Sequence, residues 1–240
     1  MTLNRRTFLR NAALGAAAIA VPASGSIAIA EEMSPMTPMR EELPTPYNSS
    51  NFNVVPDSAT VVGTTLENLK SAVAGETGAT TKYVAFAEYA EKAGYKRLAR
   101  LFRATADAEK IHIELEAALV EAEDPLWERP VAESPAEIPV DLSLISGANG
   151  EIYETSDMYP AFIKVAIEEG RDDAVAVFNR AKLAEGYHAE LYLDAYNTID
   201  EPAEEDVEYH LCPLCGYIHK GGEFESCPIC GAPAASFTAY

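Results

Sequence analysis

The sequence is poor in basic residues, histidine and cysteine, and each shortage narrows the possible functions. Eighteen Lys and Arg stand against 38 Asp and Glu, which gives a formal net charge of −20. Nucleic-acid binding and attachment to anionic membranes both need clustered basic side chains, so neither partner is expected. The 240 residues include only four histidines and four cysteines. The positions of these few residues therefore carry most of the functional information.

Long apolar runs are also missing, apart from a short one near the N-terminus. Paired arginines, Arg5 and Arg6, precede an Ala-rich stretch that ends at Val21. This stretch is too short and too interrupted for a stable membrane span, and its layout is that of a twin-arginine signal peptide. We predict that residues 1–30 are this signal, cleaved after Ala30 on export to the periplasm. An uncleaved N-terminal anchor is the alternative.

The rest of the chain divides into a helical domain and a small C-terminal module. Residues 31–57 are rich in Pro, Ser and Thr and are predicted to be a linker. Residues 58–200 follow a helical period and form the predicted main domain. The acidic residues 201–208 are predicted to be a second linker. All four cysteines lie in the final segment, residues 209–240.

Four helices are predicted in the main domain. They cover about residues 58–91, 96–121, 150–169 and 171–198. The Pro-rich residues 124–150 between the second and third helices are predicted to be a long irregular connection, whose last third could hold a helical turn. A helix pair, one long crossover and a second helix pair is the connectivity of a ferritin-like four-helix bundle. Pro160 lies inside the third predicted helix and is expected to kink it.

The two helix pairs also repeat in sequence. Seven pairs of identical residues are separated by 76 positions, for example Phe102 with Phe178, and Gly75–Glu76 matches Gly150–Glu151 at a separation of 75. Nine matches in register indicate a duplicated helix hairpin. A duplicated hairpin folded about a pseudo-twofold axis builds a symmetric site.

Two histidines recur in a Glu-x-x-His pattern. Glu109 precedes His112 by three residues, and Glu185 precedes His188 in the same way. Residues three apart on a helix lie on the same face, so each pair can act as one two-armed ligand. Exposed helix acids beside core histidines are the alternative, and the duplication argues against it.

The other two helices each supply a matching acid. Glu76 and Glu151 are inward-facing in the helical period, where an unpaired carboxylate is costly. One Glu from each of two helices plus a Glu-x-x-His from each of the other two is the di-iron carboxylate pattern. Oxygen-rich ligands with one imidazole per metal favour iron or manganese over zinc. Glu154 adds a fifth acid on the face of Glu151, where the first half has Ala79.

The cysteines form two Cys-x-x-Cys knuckles, a spacing that favours metal over disulfides. Four thiolates from two knuckles bind one tetrahedral ion, and the residues are Cys212, Cys215, Cys227 and Cys230. The spacing does not select the metal: structural zinc and a rubredoxin-type iron are both open, and a neighbouring redox centre favours iron. His210 and His219 flank the module and are not expected to be ligands, because four sulfurs already complete the shell.

These motifs together resemble the rubrerythrin family. The resemblance rests on "GETGATTKYVAFAEYAEKAGY", "AEKIH", "GEIYETSDMYP", "AEGYH" and "CPLCGYIH…CPICG", in this order, and extends from about Leu66 to Phe237. It implies an all-α, ferritin-like bundle with a C-terminal rubredoxin-like metal ribbon. The family usually lacks a leader, so the export signal is a departure.

The resemblance also implies roles for the site residues. Glu109 and Glu185 bridge two irons, Glu76 binds the first iron, and Glu151 with His188 bind the second. Further implied residues are Glu154 and His112, which exchange on the first iron with its oxidation state, the second-shell Tyr83 and Tyr159, and the four cysteines around a single iron. A neutral imidazole suits the ferrous ion and an anionic carboxylate suits the ferric ion.

The function implied by the resemblance is peroxidase activity. The di-iron centre reduces hydrogen peroxide to water, and the four-cysteine iron site supplies electrons from an unidentified redox donor. The family resemblance further implies a homodimer in which the partner subunit's module approaches the di-iron site. The alternatives are a ferroxidase or other iron-handling protein, and a non-enzymatic electron-transfer protein with a C-terminal zinc ribbon.

Overall fold

The computed structural model describes residues 60–200 and 207–240. The predicted signal peptide and the predicted linker 31–57 lie outside these ranges, as do residues 201–206 of the acidic linker. The described part consists of a four-helix bundle and a small three-stranded module. Within it, no helix is both long enough and apolar enough to cross a membrane.

The first hairpin consists of α1 (Thr65–Lys92) and α2 (Lys96–Glu123). A capping box begins α1: the Thr64 side chain accepts from the Glu67 amide, and the Glu67 side chain accepts from the Thr64 amide. The helix thus begins seven residues later than the predicted start at 58. Gly94, at φ +87°, provides the left-handed residue that turns the chain into α2.

The second hairpin repeats this turn. Gly170, 76 residues after Gly94, has φ +70°. The bond from the Tyr95 amide to the Ala90 carbonyl recurs between the amide of Arg171 and the carbonyl of Ala166, and both are 2.8 Å long. The duplication seen in the sequence is therefore also a duplication of hydrogen bonding.

The third helix differs most from its prediction. It comprises α3 (Val140–Tyr153), a π-helical segment (Glu154–Met158) and α4 (Tyr159–Glu168). It begins ten residues before the predicted start at 150, so the irregular connection ends at Pro139. Burial explains the early start: Val140, Leu144 and Ala148 all pack in the core although Gly and Ser in this stretch favour a loop.

The bundle is completed by α5 (Asp172–Asn197). Gly186 is buried within α5, and nothing in the structure explains a glycine there. Two aromatic clusters fill the core on either side of the conserved midplane of the repeat: Tyr83, Phe86 and Phe102 in one, Tyr159, Phe162 and Phe178 in the other. The members of the two clusters are repeat counterparts.

The C-terminal module is an antiparallel sheet in the order β2-β1-β3, formed by β1 (Tyr209–Leu211), β2 (Ile218–Lys220) and β3 (Thr238–Ala239). Tyr209, Leu211 and Ile218 belong to the same hydrophobic cluster as the bundle core. The module therefore packs directly on the bundle of its own chain.

Candidate metal centres

Six of the seven predicted bundle ligands come together in the core. Two overlapping groups of side chains each place their ligand atoms within 4.8 Å of one another. The first half-site consists of Glu76, Glu109, His112 and Glu185, and the second of Glu109, Glu151, Glu185 and His188. Glu109 and Glu185 belong to both groups, which is the position that a pair of bridging carboxylates requires.

The two histidines are oriented by the cysteine module. Nε2 of His112 lies 3.1 Å from the carbonyl oxygen of Cys215, and Nε2 of His188 lies 2.9 Å from that of Gly216. A carbonyl only accepts, so each ring donates its Nε2–H, and in the neutral imidazole the lone pair is on Nδ1. Both Nδ1 atoms therefore face the carboxylates as metal ligands held by an outer hydrogen bond.

Distances at Nδ1 show that an ion fits between these groups. Nδ1 of His112 lies 2.7 Å from Glu185 and 3.1 Å from Glu109, and Nδ1 of His188 lies 2.7 Å from Glu185. These nitrogen atoms and both oxygens of Glu109 and Glu185 are buried without a hydrogen-bond partner. Lone pairs that converge in a dry core need cations or protons between them, so the donor set fits two metal ions.

The electrostatics of the cluster show the same demand for positive charge. Burial, followed by the charge of Glu185, holds the pKa of Glu109 well above its usual value. The same causes raise the pKa of Glu151 to about 7. Burial opposes the charged form of His112 and His188, but Glu185 raises the pKa of both above the usual range. In the absence of a metal ion the cluster therefore retains protons.

Glu154 lies beside the first half-site but outside both ligand groups. It is 7% exposed, and one of its oxygens lies 3.8 Å from where a Cβ on Gly75 would stand. His112 occupies the group that Glu154 does not enter. This is one of the two arrangements in the predicted exchange of ligands, the one with imidazole facing the metal. Glu154 is also the first residue of the π-helical segment, whose wider turn is common at functional sites.

The two predicted tyrosines hold the terminal carboxylates. Tyr83 donates a hydrogen bond to Glu151, and Tyr159 donates one to Glu76. These contacts are repeat counterparts and place each phenol behind one half-site. The sequence interpretation missed Glu116, which is fully buried and 2.8 Å from the Tyr159 hydroxyl. Its position four residues after His112, on the same helix face, was the signal available.

The four cysteines form a second, separate cluster. All are free thiols, with Sγ–Sγ separations of 3.5 Å between Cys212 and Cys230 and 3.4 Å between Cys215 and Cys227. These separations suit four sulfurs about 2.3 Å from one tetrahedral ion. His210 and His219 face each other across β1 and β2 and, as predicted, are not in the ligand group.

The position of the module differs from the prediction in one respect. The resemblance implied that the partner subunit's module approaches the di-iron site, whereas here the chain's own module contacts it, through Cys215 and Gly216. An exchange of modules between two chains preserves the same contacts, so the homodimer stays a prediction.

Comparisons with known proteins agree with this geometry. The family model described as Rubrerythrin matches residues 67–196, and that described as Rubrerythrin, rubredoxin-like domain matches residues 210–238. Nigerythrin from Nitratidesulfovibrio vulgaris (Hildenborough) is 62% identical over 202 residues, which cover 84% of this chain and 99% of nigerythrin. Rubrerythrin from the same organism is 36% identical over 179 residues, covering 72% and 92% of the two chains.

A solved structure extends the likeness to the fold. Nigerythrin in its fully reduced, all-ferrous state matches with a TM-score of 0.75 and 63% identity, covering 82% of this chain and 97% of that chain. Both domains match in order, and the carboxylate–histidine and cysteine clusters lie where two metal sites need them. The chain therefore belongs to the rubrerythrin family, with a di-iron site in the bundle and a rubredoxin-like four-cysteine site in the module.

Proposed function

We propose that this protein is a rubrerythrin-type peroxidase that reduces hydrogen peroxide to water at the bundle site, with electrons supplied through an iron in the cysteine module. The observation that supports this proposal most is the direct contact between the two sites. The carbonyls of Cys215 and Gly216 accept hydrogen bonds from the two histidines of the bundle. A structural zinc ribbon has no need to touch the ligands of a redox centre.

The contact gives a short covalent and hydrogen-bonded route for electrons. It runs from the Cys215 sulfur through that residue's own backbone to its carbonyl, and then across 3.1 Å to the His112 ring. Nδ1 of the same ring faces the carboxylates of the first half-site. A parallel contact from Gly216 to His188 serves the second half-site. Both halves of the centre are therefore joined to one knuckle.

The stoichiometry of the reaction matches the composition of the site. One peroxide takes up two electrons and two protons and gives two waters, and two ferrous ions supply one electron each. The chain holds the terminal carboxylates in place through Tyr83 and Tyr159, and the two imidazoles through the module. Glu154 lies close by as a further carboxylate that is not yet engaged.

Peroxide-dependent reoxidation of the reduced, iron-loaded protein tests the proposal. Glu109→Ala and Glu185→Ala each remove a carboxylate shared by both half-sites, and we expect turnover to be lost. Glu114→Ala is the matched control, because Glu114 is an exposed acid on the same helix as Glu109. Wild-type turnover in either shared-carboxylate variant would refute the assignment.

Metal analysis separates this proposal from its alternatives. We expect three irons per chain, two in the bundle and one on the cysteines. Two irons and one zinc would remove the electron-entry argument and favour a ferroxidase or another iron-handling role. A multisubunit shell with a mineral core on size-exclusion chromatography would favour storage.

The proposal extends to location and assembly. We propose that the twin-arginine-type leader exports the folded, metal-loaded protein to the periplasm, which requires a redox donor outside the cytoplasm. We also propose a homodimer. Cell fractionation with N-terminal sequencing of the mature protein checks export and cleavage after Ala30, and light scattering checks the dimer.

A further inference from the structure

Glu116 is a buried carboxyl to which the proposed reaction assigns no role. It lies on α2 one helical turn after His112 and is 0% exposed. One of its oxygens is 2.8 Å from the Tyr159 hydroxyl, and the other has no hydrogen-bond partner. A carboxyl placed this deeply is costly unless it is paired, so its position calls for an explanation.

The hydrogen bonds around Tyr159 contain one proton too few unless Glu116 is neutral. The phenol contacts both Glu76 and Glu116, but it has a single proton to donate. The second contact is a hydrogen bond only if one of the two carboxyls donates. Glu76 belongs to the metal-binding group and is needed as an anion, so the second proton belongs to Glu116. Burial, followed by the charge of Glu76, raises the pKa of Glu116 well above its usual value, in agreement with this count.

The duplicated halves of the bundle differ at this position. The counterpart of the Tyr159–Glu76 contact is the contact of Tyr83 with Glu151. The counterpart of Glu116, 76 residues later, is Tyr192, whose ring lies 5.4 Å from that of Tyr83. An aromatic side chain therefore supports Tyr83 in the second half, and an acid supports Tyr159 in the first.

We propose that Glu116 is a positioning residue of the first half-site, where as a neutral acid it donates a hydrogen bond to Tyr159 and directs the phenol proton at Glu76. Tyr159 then has a fixed hydroxyl rotor, and Glu76 has one oxygen held while the other faces the metal. This role depends on the di-iron site and is independent of whether peroxide is the oxidant. It also places Glu116 and Glu154, the two acids without a repeat counterpart, on the same half of the centre.

Cobalt(II) titration of the full chain, followed by absorption spectroscopy, tests this role without measuring turnover. In Glu116→Leu we expect one of the two bundle ions to bind about 10- to 100-fold more weakly, the usual effect of losing an outer-shell partner. Glu116→Gln keeps an N–H donor for Tyr159, so we expect binding close to wild type. Tyr192→Phe, at the repeat counterpart, is the control and is expected to leave this binding step unchanged.

A double-mutant cycle shows whether Glu116 acts through Tyr159. Tyr159→Phe alone is expected to weaken the same binding step, and Glu116→Leu added to it is expected to cause no further loss. Thermal unfolding of the metal-free variants checks folding. Replacing a buried carboxyl by an apolar side chain is expected to leave the melting temperature of Glu116→Leu at or above that of wild type.

Three results would overturn the role of Glu116. They are wild-type binding in Glu116→Leu, binding in Glu116→Gln as weak as in Glu116→Leu, and full additivity in the cycle. A wild-type protein that binds two ions in the bundle but consumes no peroxide would refute the proposed function alone and would leave the role of Glu116 intact.

Discussion

A single missing side chain, at Gly216, lets the cysteine module reach the bundle. Gly216 has φ +77°, and a Cβ at this position would overlap the Nε2 end of His112. The second knuckle has Gly231 at the equivalent place, with φ +76°, and a Cβ there meets nothing within 4 Å. Two glycines with the same backbone conformation thus differ only in what lies in front of them.

This difference gives a matched pair of variants. Gly216→Ala and Gly231→Ala both introduce left-handed strain of about 1–2 kcal/mol, so similar losses of stability are expected. Only Gly216→Ala forces the module away from His112, so only this variant is expected to slow electron transfer between the two sites. Stopped-flow absorption of the cysteine-bound iron after peroxide addition measures that step. Equal rates in the two variants would contradict the proposed route.

The sequence predicted most individual ligands, because their spacing is diagnostic. Glu109 with His112, repeated as Glu185 with His188, cannot easily arise by chance in register. Glu116 escaped prediction because α2 contains several acids, and an isolated Glu on a helix is usually exposed. What distinguishes it is a hydrogen bond to a tyrosine 43 positions away, which only the fold brings together.

At the scale of elements, the π-helical segment accounts for an irregularity in the repeat. Glu76 and Glu151 are 75 residues apart, whereas Tyr83 and Tyr159 are 76 apart. The second half therefore has one additional residue between its carboxylate and its tyrosine. The π-helical segment lies in this interval and accommodates the additional residue, because its turn is wider than that of an α-helix. Both tyrosines consequently keep equivalent contacts.

Removing the additional residue tests this interpretation. Deletion of Ser156 is expected to restore a regular α-helix and to preserve folding and the binding of two metal ions. It is expected to impair turnover, because Glu154 loses the wide turn beside the first half-site.

Deletion of the exposed Lys164, in the regular α4, is the control. It rotates the residues that follow by about 100° and is expected to lower the melting temperature clearly. The measurements are circular dichroism melting, metal content and peroxide turnover. A larger loss of stability from the Ser156 deletion than from the Lys164 deletion would contradict the insertion.

The early start of α3 was not predictable from its own residues. The stretch from Val140 to Asn149 contains Gly147 and two serines, which weaken a helix locally. Gly147 is required by packing, since a Cβ there would approach the Tyr192 ring to 2.9 Å. Close packing on α5 therefore stabilises a helix whose local sequence favours a loop, and such packing is invisible until the partner helix is placed.

At the scale of the whole molecule, the buried cluster links stability to pH. The folded-state pKa is raised for Glu109, Glu151, His112 and His188. Groups with a raised pKa stabilise the fold below their unfolded pKa and lose that contribution as pH rises through the folded pKa. The shift of Glu151 from 4.5 to about 7 alone corresponds to on the order of 3 kcal/mol. Glu185, whose pKa is lowered by the two imidazoles despite its burial, acts in the opposite sense only at lower pH.

We therefore expect the metal-free protein to become less stable between about pH 5 and pH 8. The metal-loaded protein is expected to show the reverse trend relative to the metal-free form, because metal ions replace the protons and bind more tightly as pH rises. Differential scanning calorimetry of both forms across this range measures the effect, and Glu151→Gln is expected to flatten the metal-free curve. A metal-free melting temperature that rises over this range would contradict the assignment of these protons.

The two knuckles give the module a polarity. Cys212 and Cys215 are fully buried, and the knuckle that contains them touches the bundle. Cys230 belongs to the other knuckle and is the only cysteine that is not buried. An almost symmetric pair of loops thereby acquires an inner terminal and an outer terminal, like the two ends of a wire. Reducing equivalents that arrive from solvent meet the outer end first and can leave only through the inner one, which sets the direction of current through the molecule.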